Sequence, residues 1–390
     1  MDIPFLDLKA QYKSIKEEID KKVLEVISSQ RFILGPEVEG LEREVSTYCG
    51  TDFAVGVSSG SDALIISLMV LNIRGGDAVV TTPFTFFATA GAIARLGARP
   101  VFCDIDKASY NICPDRLDEL LVNEIDNKGN SKIKAIIPVH LYGQCADMNP
   151  IMALARKYGL FVVEDAAHAI GAEYPSSDGV KKACTFGDLG TLSFFPSKNL
   201  GGFGDGGMVL TDKENLASKL KLLRKHGSSN KYFYDVLGGN FRLDELQAAV
   251  LRIKLKYLDN WHKGKRERAS CYDKLFESTG LVENGLVQVP ELVNKKTCVQ
   301  NYHIYHQYVI RVKKRDDLQK YLRERSIPTA VYYPLSLHLQ KCFTYLGYGK
   351  GDFPESEKAS SEVLALPIYT ELSPEKQEYI VNSIKEFYST

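Results

Sequence analysis

The sequence predicts an α/β protein: a mostly parallel sheet covered by helices, followed by a smaller α+β unit. Three observations point there. Between residues 54 and 163 short β-branched runs alternate with longer stretches of helical period, the pattern of strand–helix–strand units. After Leu189 this alternation breaks down. The length, 390 residues, suits two or three domains, or one large α/β domain with an appendage.

The elements follow in order. The opening segment MDIPFLDLKAQYKSIKEEID is amphipathic and acidic, without the basic-then-apolar pattern of a secretion signal, and residues 1–30 read as an arm. Strands are expected at Ala54–Val57, Ala78–Thr82, Pro100–Cys103, Ala135–Val139 and Leu160–Val163. Helices are expected at Asp62–Leu71, Thr85–Leu96, Cys113–Leu121 and Pro150–Tyr158. Right-handed crossovers then bring the strand C-termini to one edge, where α/β proteins bind ligands. Thr191–Phe195 and Gly207–Thr211 flank a glycine-rich turn, and a helical stretch follows at Lys213–His226. One long amphipathic helix is expected from about Leu243 to Tyr272 as a bridge. Further helical signals fall at Asp316–Arg325, Glu355–Val363 and Pro374–Phe387. The large domain is expected to cover 1–260 and the small one 261–390. Asn123–Ser131 and Pro175–Ala183 read as polar surface loops.

Composition narrows the function. Lys and Arg number 49 against 49 Asp and Glu, so nucleic-acid binding by bulk charge is not expected. No apolar run reaches the ~18 residues of a membrane span, and a cytoplasmic protein is expected. The eight cysteines, at 49, 103, 113, 145, 184, 271, 298 and 342, form no C-x-x-C pair and read as reduced, mostly buried thiols. His303 and His306 are spaced H-x-x-H inside NYHIYHQYVIRV, which looks like a strand. Without a Cys or carboxylate at ligand spacing, no metal site is expected.

Four segments near predicted strand ends carry the chemistry. Ser58-Ser59-Gly60-Ser61-Asp62 joins a strand to a helix. Alone it would be a simple N-cap, but free N–H groups and hydroxyls there also suit a phosphate, and Gly60 permits close approach. Asp165 ends a strand, with His168 behind it. Such a carboxylate is often just a cap, yet it is also where an α/β enzyme places a catalytic acid, and a buried one needs a cationic partner to stay ionised. Lys198 follows Ser193-Phe194-Phe195-Pro196-Ser197 and precedes a glycine-rich run. A lysine after a strand is usually a solvated cation, but one desolvated among apolar residues becomes an amine nucleophile. The glycine run contains G-x-G but leads into a strand at Met208–Thr211 rather than a helix, so it is no dinucleotide loop. Phe84-Thr85-Phe86-Phe87 would ordinarily be core; one of its rings could stack on a flat heterocycle. Phosphate cradle, acid, amine and stacking ring together fit pyridoxal 5'-phosphate (PLP).

With these residues in hand, the sequence resembles the DegT/DnrJ/EryC1/StrS group of sugar-nucleotide aminotransferases, from Ile3 through Pro367. The motifs that carry the resemblance are FILGPEV, SSGSDAL, TPFTFFAT, EDAAHAIGA, SFFPSKNLGGFGDGG and NFRLDELQAA. The resemblance implies an aspartate-aminotransferase-like fold (PLP fold type I), with a mostly parallel seven-stranded sheet in the large domain. It implies that Lys198 bonds the cofactor aldehyde and shuttles the proton, and that Asp165 pairs with the ring nitrogen. His168 would sit near the phenolic oxygen or ring, and Phe86 would stack on it. Gly60, Ser61, Asp62 and Ser193 would cradle the phosphate. Asn240 would reach the phosphate of a neighbouring subunit and Arg242 that subunit's substrate, giving a homodimer with shared sites. Pro328–Gln340 resembles relatives acting at C3 of a hexose, which offers Tyr332, Tyr333 and His338 as substrate-binding residues. In some of those relatives a His in place of Tyr332 helps with a sugar uronate. Other relatives carry His in place of Lys198 and dehydrate the sugar.

The implied reaction takes an amino group from an amino acid, glutamate first among candidates, to a keto sugar linked to a nucleoside diphosphate. A 3-keto sugar is favoured over a 4-keto one, and the product would serve surface polysaccharide, lipopolysaccharide or a glycosylated natural product. Two rivals stand beside it. One is a PLP-binding sensor or regulator without catalysis. The other is an amino-acid aminotransferase of the same fold, which would clamp an α-carboxylate with Arg311, Arg323 or Arg325.

Overall fold

A computed structural model describes residues 2–127, 132–294, 297 and 299–389. The end of the predicted loop at 123–131 and Cys298 therefore lie outside the described residues. The central sheet has seven strands in the order β1-β9-β8-β5-β4-β2-β3. They are β1 (Phe53–Val57), β2 (Ala78–Thr81), β3 (Arg99–Phe102), β4 (Ile133–Ile136), β5 (Phe161–Asp165), β8 (Leu189–Ser193) and β9 (Gly207–Thr211). Two short strands, β6 (Glu173–Ser176) and β7 (Gly179–Lys182), form a hairpin outside it. β9 runs antiparallel to both its neighbours, and the other six strands point one way. The α/β expectation with a mostly parallel sheet therefore holds.

The sheet strands are buried on both faces, as crossover connections require. Only Arg99, Lys134 and Phe161, at or next to strand starts, are exposed. The helices covering the sheet begin with α1 (Leu8–Ser14), α2 (Lys16–Ser29), α3 (Pro36–Cys49), α4 (Gly60–Val70) and α5 (Phe87–Arg95). They continue with α6 (Pro114–Leu121), α7 (Met148–Tyr158), α8 (Glu214–Leu223) and α9 (Glu245–Leu255). α4 is apolar almost all round and accordingly sunk against β8, β9 and α5. Two of the sequence motifs meet at the start of α3. Glu245 accepts the N–H groups of Gly35, Glu37 and Val38 at 2.8–2.9 Å, which satisfies donors that a helix N-terminus leaves free.

Three expectations change. The predicted Leu243–Tyr272 helix is two helices, α9 and α10 (Leu258–Ser278), parted at Lys256-Tyr257. There the amides of Lys256 and Tyr257 bond three residues back, to Ile253 and Lys254. The bend lets α9 pack on α2 and α3 while α10 packs on α13 (Pro374–Ser389). The predicted loop at 175–183 is largely the β6–β7 hairpin, whose register sets Ser176 opposite Gly179 across a two-residue turn. The strand expected around NYHIYHQYVIRV shrinks to β13 (Tyr308–Val312). Upstream, the backbone amides of Ile304 and His306 bond the carbonyls of Gly143 and Tyr142 instead.

The remaining strands are the pair β10 (Ser228–Asn230) and β11 (Phe233–Tyr234), and β12 (Val287–Gln288) and β14 (Val363–Leu366) on either side of β13. That antiparallel three-stranded sheet packs with α10, α11 (Arg315–Glu324) and α13 around Tyr272, Tyr308, Ile310 and Leu364. α12 (Pro354–Glu362) closes this part, and Ile3 joins its core. All cysteines among the described residues are free thiols, and only Cys342 is exposed. The same residues include no group of His, Cys, Asp and Glu able to hold a metal ion.

Candidate active site

Sheet topology gathers the chemistry. Because β1, β2, β5 and β8 run the same way, the loops leaving them share one edge, and β9 starts there. Val57, Gly207 and Ser193 stand side by side across β1, β9 and β8, and Thr191 of β8 stands beside Asp165 of β5. The segment after β2 brings Phe84–Phe87 to the same edge.

The first part is an anion cradle at the start of α4. Ser59 is the N-cap, and its Oγ accepts the Asp62 N–H at 3.0 Å. Helix geometry leaves the Gly60 and Ser61 N–H groups without an acceptor within the helix. The hydroxyls of Ser58 and Ser59 donate to Asp62 at 2.7 and 3.0 Å. A Cβ on Gly60 would come within 2.6 Å of the Ser193 Cβ, and one on Gly207 within 2.3 Å of the Ser59 carbonyl. Only glycine lets these three strand ends close around a small anion.

The second part is the carboxylate of Asp165, 5% exposed. It accepts from the Thr89 hydroxyl at 2.8 Å and from the Ala167 N–H at 3.2 Å. Burial pushes its pKa above the usual carboxylate range, against the pull of those two donors and of Lys198. Glu164, one residue back on the strand, faces away. It accepts the amides of Cys184, Phe186 and Gly187 and bonds His140 at 2.9 Å, which fastens the strand end from behind.

Lys198 is half-buried. Burial pushes its amine down to about 8, with Asp165 drawing it the other way. His168 accepts the Tyr142 amide on Nδ1 at 3.4 Å, so Nε2 carries the ring hydrogen. Burial holds it well below the usual histidine range, hence neutral. Its ring lies 4.3 Å from that of His306. Phe86 caps α5 and stays 56% exposed, with the Tyr333 ring at 6.2 Å.

Other predicted residues sit at the rim of this group or beyond it: the Arg242 backbone pairs with Val57 at the end of β1, and the Tyr332 ring lies 5.8 Å from that of Tyr333. Asn240 is exposed and Arg242 half-buried, and Arg242 Nε donates to Asn240 Oδ1 at 2.7 Å. Both follow the β10–β11 pair, where Tyr232, Phe233 and Leu237 are 76%, 71% and 92% exposed. Tyr332 packs near Phe5, with Tyr142 donating to its carbonyl. His338 is buried; its contacts are Glu357, at 3.1 Å, and the Phe353 ring. Sequence reading missed Thr89, although it lies inside TPFTFFAT, and weighed His306 only as a metal ligand.

Comparison with known proteins decides the family. The model of the DegT/DnrJ/EryC1/StrS aminotransferase family matches residues 13–385. The chain belongs to that family. Within it, the chain is 49% identical over 388 residues to the "Pleiotropic regulatory protein" of Geobacillus stearothermophilus, covering 100% of this chain and 99% of that one. It is 40% identical to the UDP-N-acetyl-3-dehydro-alpha-D-glucosamine 3-aminotransferase of Acidithiobacillus ferrooxidans, over 98% of this chain and 97% of the relative. The crystal structure of NtdA from Bacillus subtilis, with bound cofactor PMP, superposes with a TM-score of 0.89. It is 31% identical and covers 100% of this chain and 86% of that one. The family depends on pyridoxal phosphate, and the fold is that of its aminotransferases.

The residues present fit that cofactor. The glycine-lined cradle matches a phosphate dianion. The buried Asp165, raised by its surroundings, matches a ring nitrogen that carries a proton. The Lys198 amine makes no hydrogen bond among the described residues and is half neutral near pH 8. Pyridoxal phosphate, when bound, supplies an aldehyde that bonds amines and a ring that withdraws electrons from the adjoining carbon.

Proposed function

We propose that this protein transfers an amino group from an amino acid, with glutamate the expected donor, to a keto sugar carried on a nucleoside diphosphate. The observation that supports this most is the Lys198 amine and the Asp165 carboxylate facing one sheet edge beside the Gly60–Ser193 cradle. In this reading Gly60, Ser61, Asp62 and Ser193 hold the phosphate, and Phe86 covers one ring face. Asp165, held by Thr89 and Ala167, keeps the ring nitrogen protonated. His168 donates from Nε2 to the ring side. Lys198 takes a proton from the substrate carbon and returns it on the cofactor side, reversing the order in the second half-reaction. The chain divides near residue 260 into a cofactor-binding part and a smaller part that helps cover the substrate.

Amination at C3 is favoured over C4, a choice supported by the Acidithiobacillus relative, whose name specifies a 3-amino transfer. Tyr332 and Tyr333 at the mouth would meet the sugar; with Tyr332 where some relatives use a His, a uronate is disfavoured. An amino-acid substrate is disfavoured for a different reason. Arg311 is forked onto Glu362 through Nε and Nη2 at 2.9 and 2.6 Å, and Arg325 lies over the Tyr321 ring at 3.5 Å. Arg323 is exposed in the last turn of α11, so none of the three stands ready to clamp an α-carboxylate. A regulatory role is the second reading, prompted by the name of the Geobacillus relative; the presence of Lys198 favours catalysis.

The deciding experiment incubates purified protein with PLP, glutamate and a panel of 3-keto and 4-keto nucleotide sugars, and places the new nitrogen by NMR. A 3-amino sugar is expected, with Lys198→Ala folded but inactive. Turnover of plain keto acids alone would favour an amino-acid aminotransferase, and no transfer at all a regulator.

A further inference from the structure

Three side chains from α9 and α10 reach the segment that follows Lys198. Gln247 Oε1 accepts the Phe203 N–H at 2.7 Å, Lys254 Nζ donates to the Gly201 carbonyl at 2.5 Å, and Lys265 Nζ donates to Asn199 Oδ1 at 3.0 Å. Gln247 and Lys254 stand two turns apart on one stripe of α9. Both lysines are almost fully buried, at 3% and 7% exposure, where lysine is rarely found without a specific partner. Asn199 adjoins Lys198, and its amide is bonded at both ends. Oδ1 receives Lys265 and also His306 Nδ1 at 3.4 Å, while Nδ2 donates to the Ile304 carbonyl at 3.1 Å. A cavity of about 20 Å³ lined by Ser197, Lys198, Asn199, His262, Lys265 and Glu371 would admit water beside the amine if these ties are cut. A displacement of the Lys198 backbone would travel directly to its amine, where about 1 Å matters to reactivity.

We propose that Lys254 and Lys265 are positioning residues that tie down the 199–204 segment and so hold the Lys198 amine in place against Asp165. The inference rests on Lys198 being the reacting amine, as proposed above. Neither lysine touches the reacting atoms. The titratable groups around Lys198 are Asp165 from β5, His168 just after it, His306 from the segment before β13 and, across the cavity, Asp7, His262, Lys265 and Glu371. Loss of Lys265 reaches the amine through Asn199 and through water entering the loosened loop.

The test uses apoprotein and holoenzyme in parallel. Labelling of the Lys198 amine by trinitrobenzenesulfonate, followed across pH by peptide mass spectrometry, should show a midpoint near 8 in the wild type. Lys265→Met and Lys254→Met should each move that midpoint up by about one unit, as water relieves burial. In the holoenzyme, kcat should fall about tenfold while KM for the amino donor stays within about twofold. Lys265→Gln, which keeps a donor toward Asn199, should recover much of the loss. Asn199→Ala should copy Lys265→Met, and the double variant should be no worse than either single. A wild-type midpoint in both Met variants, or fully additive losses, would overturn the proposal. If Lys265→Met does not fold by circular dichroism, Asn199→Ala and Lys254→Met are read in its place. A shifted midpoint in a protein that transfers nothing to any keto sugar would keep the tie and sink the proposed activity instead.

Discussion

Lys198 joins two opposed effects: burial takes its proton away and the Asp165 charge gives part of it back, leaving the amine near 8. Only the neutral amine has the lone pair that attacks an aldehyde. Capture of PLP by apoprotein should therefore speed up with rising pH and level off above the midpoint, near 8. Stopped-flow absorbance at fixed PLP checks this, and a rate flat between about pH 6 and 9 would contradict the assignment. Lys198 and Asp165 were legible in the sequence because strand ends announce themselves by an abrupt switch from apolar to polar residues. Thr89 was not, because what gives it a role is a partner 76 residues away. The same holds for Lys265, which sits 66 residues from Asn199 on a helix that the sequence marks only as amphipathic.

At the level of elements, the phosphate cradle depends on strand ends being closer than side chains normally allow. Gly207→Ala would drive a methyl group toward the Ser59 carbonyl. We expect it to cost about 1–3 kcal/mol of stability in urea denaturation and to weaken PLP retention by at least about tenfold, since the cradle must open. A variant with wild-type affinity would show that the close approach is dispensable. Parallel strands and their crossover helices were predicted to within one to three residues at each end, since the burial of the strands on both faces makes the apolar runs continuous. The α9–α10 break and the β6–β7 hairpin were not. No proline or glycine marks the bend at Lys256-Tyr257, which follows from competing packing against α3 and α13. The hairpin lacks the apolar alternation that strands with a buried face display.

At the scale of the molecule, the exposed apolar side chains of residues 232–237 fit the homodimer with shared sites that the family resemblance implies, since large side chains such as Leu237, 92% exposed, are rarely left bare in a cluster. Tyr232→Asp combined with Leu237→Asp should yield monomers in sedimentation velocity, with activity lost while the fold persists. If sites are shared, mixing inactive Lys198→Ala and Asn240→Ala proteins should restore about a quarter of the sites in a random exchange of subunits; no recovery would favour self-contained sites. The reversed strand β9 carries a further meaning. Six strands arrive at the reactive rim and β9 departs from it, so the stretch from Ser193 to Gly207 never crosses to the opposite edge of the sheet. It is a bridge with both abutments on one bank. Because that span carries Lys198 and is moored at Asn199, Gly201 and Phe203 to α9 and α10, residues added in it would shift the amine, so a chain of this architecture has to change its guest from the loops that leave its other strands.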